Sequence, residues 1–377
     1  MDVHEATSDS IDSGRGRQGA RGDLDRSQNR RRAVIAGPKI RLKLKAGVNL
    51  GNARFLNPLH LGARAARPLE IECSFRSKQP SRLARGHRVD EIQQIMSKYD
   101  ERYIRDGLAS AADVTKFAAT FYKDVAEIFD VVTRVKNGER NPTGFTLADA
   151  PILGLLVRIW KLLKEILRYY DENNAEMIGV LDRPLLEAAV MAAYLMKSNE
   201  AVMEDYRKCS YRHRLRMVLS AKAGSPFFET KAGKRLLNSI KEKMAFEKLT
   251  EEDFALQKKN RWHVQNKTFY DIFHTLHDED LYAVSYGIMS ESIHGSWNDS
   301  MDFCLTKNDD GTFSAFPFLQ PADIRYVSPL LMFSVPAYRA WLQRIQAYDD
   351  GLRQVLDWVE RVNSAIFKKF DAEFDGP

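Results

Sequence analysis

Apolar residues recur every three or four positions through most of the chain after Met96, and this period decides the fold class. Over 152–170 the apolar positions form one helical face and the charged positions form the opposite one. The stretch from Leu185 to Met196 is apolar all round apart from Glu187, which predicts a central, buried helix. The pattern therefore predicts a mainly α fold, a multi-helix bundle.

Local signals predict where individual elements begin and end. A first helix is expected over 111–136. Asp149 and Pro151 are typical of a helix start, with the acid capping free amides and proline in the first turn. A strongly charged helix is expected over 199–221. The turn-rich segment near 300–320 predicts a small β-hairpin inserted in the bundle.

The C-terminal segment has the longest helical period, and we expect one long helix at about 328–374. Its apolar positions alternate steps of four and three, as in a heptad seam. A self-paired coiled coil, and so a homo-oligomer formed through this helix, is one interpretation. Packing within the same chain is favoured, because additional apolar residues widen the face beyond a two-stranded seam: Leu342, Leu356, Trp358 and Phe367.

Charge divides the chain near Met96. Residues 1–95 hold 19 Lys and Arg against 10 Asp and Glu, a net charge of +9, and the remaining residues hold 38 against 41, a net charge of −3. The first segment is expected to be a disordered basic arm, a solvated tail or an over-extended reading frame upstream of Met96. A single helical domain is expected over 96–377, with a family-like core at about 152–296. Nucleic-acid binding would then depend on a local site or on the arm.

Several classes of protein are disfavoured by what the sequence contains. Cys73, Cys209 and Cys304 are widely scattered, which does not suit a disulfide framework or a zinc site and favours a reducing cytoplasm. The sequence has no run of about 18 apolar residues, so no membrane span is predicted. We expect no cofactor, no resident metal and no membrane partner.

The main candidate site combines two short motifs. Arg183 and Glu187 are four residues apart and so share a helix face beside the most apolar helix. Tyr286, Ser290 and His294 follow one another in four-residue steps and would place a phenol, a hydroxyl and an imidazole on one stripe. Such groups can perform general acid–base chemistry. The structural alternatives are an ion pair at a helix start and a core histidine bonded to Ser290 or a backbone carbonyl.

A second candidate is the pair His274 and His277, which is followed by three acids at 278–280. Spacing of three puts both imidazoles on one helix face, which could suit a metal-dependent hydrolase. An acid-rich end of a surface helix is the simpler interpretation.

The motifs Arg183-Pro-x-x-Glu187 and Ser290-x-x-x-His294-Gly-Ser resemble a bacterial family named as domain of unknown function 5677. In that family an Arg-x-x-x-Glu helix and a later Tyr-x-x-x-Ser-x-x-x-His helix recur in an all-helical fold. The resemblance covers about 152–296. It implies the fold more than an activity, because the family has no settled function.

The helical layout of that family is similar to that of HEPN ribonucleases of toxin–antitoxin and phage-defence systems, which use Arg-x(4–6)-His on one helix. The spacing recurs here at Arg207 and His213 and at two pairs in the basic arm: Arg54 with His60, and Arg82 with His87. His294 has no arginine at that spacing. The resemblance implies acid–base chemistry on RNA in defence or stress, with RNA or a protein as partner. A non-catalytic binding or scaffold module is the alternative.

Overall fold

Helices make up nearly all regular structure in the residues that the computed structural model describes, 92–254 and 262–374. Residues 92–97 are helical. The α-helices that follow are α1 Glu101–Gly107, α2 Ala111–Arg134, α3 Ala150–Asp171, α4 Ala175–Met196, α5 Glu200–Cys209, α6 Arg212–Lys222, α7 Lys231–Phe246, α8 Phe269–His274, α9 Glu279–Tyr282, α10 Ile288–His294, α11 Trp297–Phe303, α12 Ser328–Arg344 and α13 Asp350–Glu373. A π-helical turn, Ala283–Gly287, joins α9 to α10, and short 3₁₀ turns cover Pro226–Glu229, Glu252–Phe254 and Ile324–Tyr326.

The small β-hairpin consists of β1, Leu305–Lys307, and β2, Phe313–Ala315, paired antiparallel with Leu305 opposite Ala315. Its position confirms the predicted insertion, and the helices confirm the mainly α fold class.

Helix α4 lies at the centre of the bundle, in contact with α3, α12 and α10. Its side chains are buried on several sides, and Leu185, Leu186 and Leu195 are fully buried. This confirms the central helix expected from the apolar run. The helix begins at Ala175, ten residues before the run. A helix that is apolar all round needs neighbours on every side, and the bundle supplies them.

The start of α3 differs from the expectation in one detail. Asp149 precedes the helix, but its side chain caps no amide. Instead it is buried, with 2% of the residue exposed, and accepts a hydrogen bond from Arg344 Nε at 2.8 Å. A buried carboxylate is costly without a partner, so the arginine of α12 outcompetes the capping role.

The charged helix expected over 199–221 is two helices, and this prediction was wrong. Helix α5 ends at Cys209 and α6 begins at Arg212. The break separates two hydrophobic clusters, because Cys209 packs into the main core and Tyr211 into a smaller one with Val218, Ile240 and Met244. Residues 211–248 thus form a unit with its own small core, which we call the α6–α7 hairpin.

The single long helix expected at about 328–374 is also two helices, α12 and α13. They are separated near Gln346, whose φ of 56° lies in the left-handed region. The seam of α13 is buried within the chain, at Val355, Val359, Val362 and Ile366 among others. It packs on α1, α2 and α12, as the intramolecular interpretation predicted.

All described residues lie in one compact unit of the chain. The predictions for the arm up to residue 91, for Cys73, and for the pairs Arg54–His60 and Arg82–His87 lie outside the described residues. Among the residues that the structure does describe, no helix is both long enough and apolar enough to cross a membrane.

Candidate functional site

Three side chains from two distant parts of the chain form a hydrogen-bonded network on the bundle. Arg183 Nε donates to Glu187 Oε1 at 3.1 Å, and Arg183 Nη2 donates to the Tyr286 hydroxyl at 2.5 Å. The same hydroxyl donates to Glu187 Oε1 at 2.8 Å. Each of the three groups is therefore bonded to the other two.

The network exists because α4 and α10 approach each other closely. Gly179 lies one helical turn before Arg183, on the same face of α4. A Cβ at Gly179 would stand 2.7 Å from Ser292 Oγ on α10, so only glycine fits this crossing without a shift. The close approach brings the side chains of α10 and the preceding turn within reach of Arg183.

Tyr286 lies in the π-helical turn. Such turns are rare in proteins and are frequently found at functional sites. Its ring packs against Phe269 with the centroids 4.7 Å apart. The Arg183 guanidinium lies 4.4 Å from the centroid of the same ring, a cation–π contact in addition to the hydrogen bond. Tyr286 is thus fixed on both sides of its ring.

Burial and the hydrogen bond to Glu187 raise the pKa of Tyr286 above its usual range. The phenol therefore keeps its proton across the physiological range and donates it to the carboxylate. Arg183 and Glu187 balance each other's charge, although their exposure differs, at 19% and 42% of the side chain.

His294 lies at the solvent edge of the network. Its Nε2 is 3.4 Å from Arg183 Nη1. Because arginine has only donors, this contact is a hydrogen bond only in the tautomer whose Nε2 accepts and whose ring proton is on Nδ1. The histidine is exposed and ends α10.

The structure thus brings together four of the five side chains singled out from the sequence. Ser290 lies on the same helix, but its hydroxyl donates to the Tyr286 carbonyl at 2.6 Å and is not part of the network. A serine that bonds the carbonyl four residues back in its own helix has a local structural use.

Several polar positions of the network are open. Arg183 uses three of its five N–H groups on Glu187, Tyr286 and His294. Within the described residues, the other two N–H groups, Glu187 Oε2 and His294 Nδ1 have no protein partner. The arrangement can therefore bind an anionic oxygen at the guanidinium, next to an imidazole able to move a proton.

The pair His274 and His277 lies in a different environment. His274 packs 4.0 Å from Tyr270 between ring centroids, and its Nε2 is buried without a partner in the described part of the chain. His277 packs on Phe273 and Phe333, and burial lowers its pKa. Over 92–254 and 262–374 no three His, Cys, Asp or Glu side chains are grouped as a metal requires, so the hydrolase alternative gains no support.

Asp182 was not predicted from the sequence, and its carboxyl is buried beside Arg183 on α4. Burial raises its pKa from 3.8 to about 8. The Arg183 backbone N–H donates to its Oδ1 at 2.5 Å. The signal was present as a second charge at the edge of the apolar run, but only the structure shows that this side chain faces inward.

Arg207 and His213 do not share a helix, which departs from the HEPN arrangement. Arg207 lies on α5 and its Nε donates to Glu247 Oε2 at 2.9 Å, while His213 lies on α6. The expected similarity to HEPN ribonucleases is not shown.

The fold and the network define a mainly helical protein with a polar site between a central helix and a π-helical turn. Residues 149–312 match the model of the family of unknown function DUF5677. This segment runs from α3 to the β-hairpin and contains all five singled-out residues, so the resemblance read from the motifs is confirmed. Searches of curated proteins and of solved structures found no match.

Proposed function

We propose that Arg183, Glu187, Tyr286 and His294 form a general acid–base site that acts on RNA phosphodiesters. The observation that carries the proposal is the contact of an exposed imidazole with a guanidinium that is itself held by Glu187 and Tyr286. Arginine binds phosphate oxygens strongly, and histidine is the commonest general acid or base.

The geometry supports a stepwise role for each group. A phosphate oxygen that takes the Nη1 donor of Arg183 releases Nε2 of His294 from its contact with the arginine. The freed Nε2 can then accept the 2′-hydroxyl proton as that oxygen forms its bond to phosphorus. The imidazolium returns the proton to the 5′-oxygen as the phosphorus–oxygen bond breaks. Glu187 and Tyr286 hold the guanidinium in place and do not exchange protons.

A non-catalytic binding or scaffold module is the second candidate, and one observation favours it. The hydrogen bonds of Arg183, Glu187 and Tyr286 are closed on one another and connect α4 to the π-helical turn. Such a network can fix helix register without any reaction.

Two variants of the same helix separate the candidates. In an RNA-cleavage assay of the purified protein we expect His294→Ala to lose at least about 100-fold in rate, the usual contribution of a general acid or base. Ser290→Ala is the matched control and should cleave within about threefold of the parent, because its hydroxyl bonds only a backbone carbonyl.

The catalytic proposal is overturned if the parent cleaves no RNA, or if folded His294→Ala protein cleaves at the parent rate. A role in phage defence or stress depends on that activity. Expression of the parent should then slow growth, and expression of His294→Ala should not.

A further inference from the structure

Charge is strongly segregated within the helical body. Residues 211–248 hold 10 Lys and Arg against 3 Asp and Glu, a net charge of +7. The rest of 96–377 holds 28 against 38, a net charge of −10. The total of −3 therefore hides one strongly basic segment, and that segment is the α6–α7 hairpin.

Most of this positive charge is not neutralised by neighbours. Arg212 pairs with Asp205, Lys222 with Glu251 and Lys234 with Glu229. The following cations are exposed and make no ion pair with any residue that the structure describes: Arg216, Lys231, Arg235, Lys241, Lys243 and Lys248. Unpaired cations this close together repel one another, so an anionic partner would relieve that repulsion.

Helix α7 arranges part of this charge in a row. Lys231, Lys234, Arg235 and Lys241 are separated by three, one and six residues and lie on one helix face. The buried residues Gly233, Ile240 and Met244 form the opposite face. The ten steps from Lys231 to Lys241 span roughly 15 Å at 1.5 Å per residue. This row therefore faces solvent over a length of several nucleotides.

Two exposed aromatic side chains lie at the two ends of α7. Phe227, in the turn before the helix, is 50% exposed, and Phe246, its last residue, is 84% exposed. An aromatic ring in water beside a row of cations can stack on an unpaired base while the cations contact the backbone.

We propose that the α6–α7 hairpin binds the phosphodiester backbone of single-stranded RNA, with Lys231, Arg235 and Lys241 as the phosphate-contacting residues. The choice of RNA rests on the proposed function, and the inference adds to it the surface that holds the substrate. The hairpin is separate in its packing from the Arg183 network, because it has its own small core.

A membrane surface is the other anionic partner that such a patch could meet. Helices that lie on membranes present a continuous apolar face. Here the apolar faces of α6 and α7 pack into the small core of Tyr211, Val218, Ile240 and Met244. Leu236 and Phe246 are exposed on α7 but are ten residues apart and do not form a continuous face. The exposed Met217 and Leu219 are two residues apart and lie on different sides of α6. The hairpin therefore suits an RNA strand better than a lipid surface.

The test measures binding by the full chain carrying His294→Ala, so that cleavage does not consume the probe. The probe is a fluorescein-labelled single-stranded oligoribonucleotide, followed by fluorescence anisotropy over a salt series. The hairpin variant is Lys231→Glu with Arg235→Glu and Lys241→Glu, and a Gln version of the same triple guards against misfolding. The matched control changes three exposed lysines outside the hairpin, Lys116, Lys161 and Lys307, to Glu.

We expect the hairpin triple to weaken binding by at least tenfold at about 0.1 M salt and to lower the salt slope by about 2 to 3. The control triple should stay within about threefold of the parent.

The inference is overturned by any of three results: no RNA binding by the parent, binding by the hairpin triple at the parent affinity, or an equal loss in both triples. Cosedimentation of the same proteins with phosphatidylserine vesicles tests the membrane alternative, and hairpin-dependent binding to vesicles without binding to RNA overturns the inference as well. Because the assay uses a variant without His294, failure of catalysis and failure of binding are recorded separately.

Discussion

The Arg183 network and the α6–α7 hairpin use the same kind of side chain in opposite ways. In the network one arginine, with 19% of its side chain exposed, is bonded to a carboxylate, a phenol and an imidazole. In the hairpin ten cations face three acids and most remain in water. An arginine held by three partners keeps one fixed position, whereas a row of exposed cations attracts an extended anion without fixing it. The network is therefore suited to a chemical step, and the hairpin is suited to binding an extended anion.

A buried carboxyl beside the network makes the stability of the folded chain depend on pH. Asp182, beside the network, has a pKa of about 8 in the folded chain against 3.8 when unperturbed, because of burial. Its proton is held by the folded state only, so this contribution to stability is complete below pH 4 and is lost as pH rises toward 8. Asp182→Asn should abolish that loss and be more stable than the parent at pH 8, by up to about 5 kcal/mol.

The check is denaturant unfolding of both proteins at pH 4, 6 and 8. The stability difference should grow with pH. A parent whose free energy of unfolding is as flat with pH as that of Asp182→Asn would show that burial at the network does not set this pH dependence.

The hairpin has its own packing constraint, at Gly233. A Cβ at this position would lie 2.1 Å from the Phe227 carbonyl oxygen and 2.6 Å from Phe228 Cα, which are backbone atoms. Gly233→Ala should therefore destabilise the hairpin locally, by about 2 to 3 kcal/mol, as overpacking does. Hydrogen exchange should rise in α6 and α7 and stay unchanged in α4. Faster exchange in α4 as well would show that the two regions are one cooperative unit.

Removing the arginine of the network should cost more stability than removing an exposed arginine of the hairpin. Arg183→Gln leaves Glu187 and Tyr286 with fewer partners, and we expect a loss of about 1 to 3 kcal/mol of stability. Arg216 is an exposed arginine of the hairpin without an acidic partner in the described part of the chain, and Arg216→Gln should change stability by less than about 0.5 kcal/mol. Thermal unfolding of the two variants compares them directly, and equal losses would remove the distinction drawn between bonded and free arginines.

The smallest expected effect is on RNA affinity at the end of α7. Phe246 is almost fully exposed, so Phe246→Ala should leave the fold intact. It should weaken oligoribonucleotide binding about five- to tenfold, near 1 kcal/mol, through lost base stacking. Phe318→Ala is a matched control, since Phe318 is also well exposed but lies outside the hairpin. Equal effects of the two changes would argue against stacking at the hairpin.

Sequence pattern predicted the helices where apolar spacing and burial agree. Helix α2, expected from residue 111, begins at Ala111, and the apolar run predicted the centre of the bundle correctly. The breaks after Cys209 and near Gln346 were missed. The apolar spacing continues across both breaks. The helices end there because the residues before and after each break pack in different directions.

The candidate site was predictable as two stripes but not as a network. Four-residue spacing placed Arg183 with Glu187, and Tyr286 with His294, on separate helix faces. That these faces meet depends on the π-helical turn and on the crossing at Gly179, for which the local sequence has no distinct signal. Ser290 has the same spacing, yet a backbone carbonyl takes its hydroxyl. The basic hairpin was overlooked because its charge was summed with that of an acidic body.

Steady-state cleavage of a single-stranded RNA by three proteins tests the division of labour most directly: the parent, His294→Ala, and the triple Lys231→Glu, Arg235→Glu, Lys241→Glu. The account predicts that the triple raises KM at least tenfold and leaves kcat near the parent value, whereas His294→Ala lowers kcat by at least about 100-fold and leaves KM near it. A parent without cleavage, or a triple that loses kcat as His294→Ala does, would contradict it.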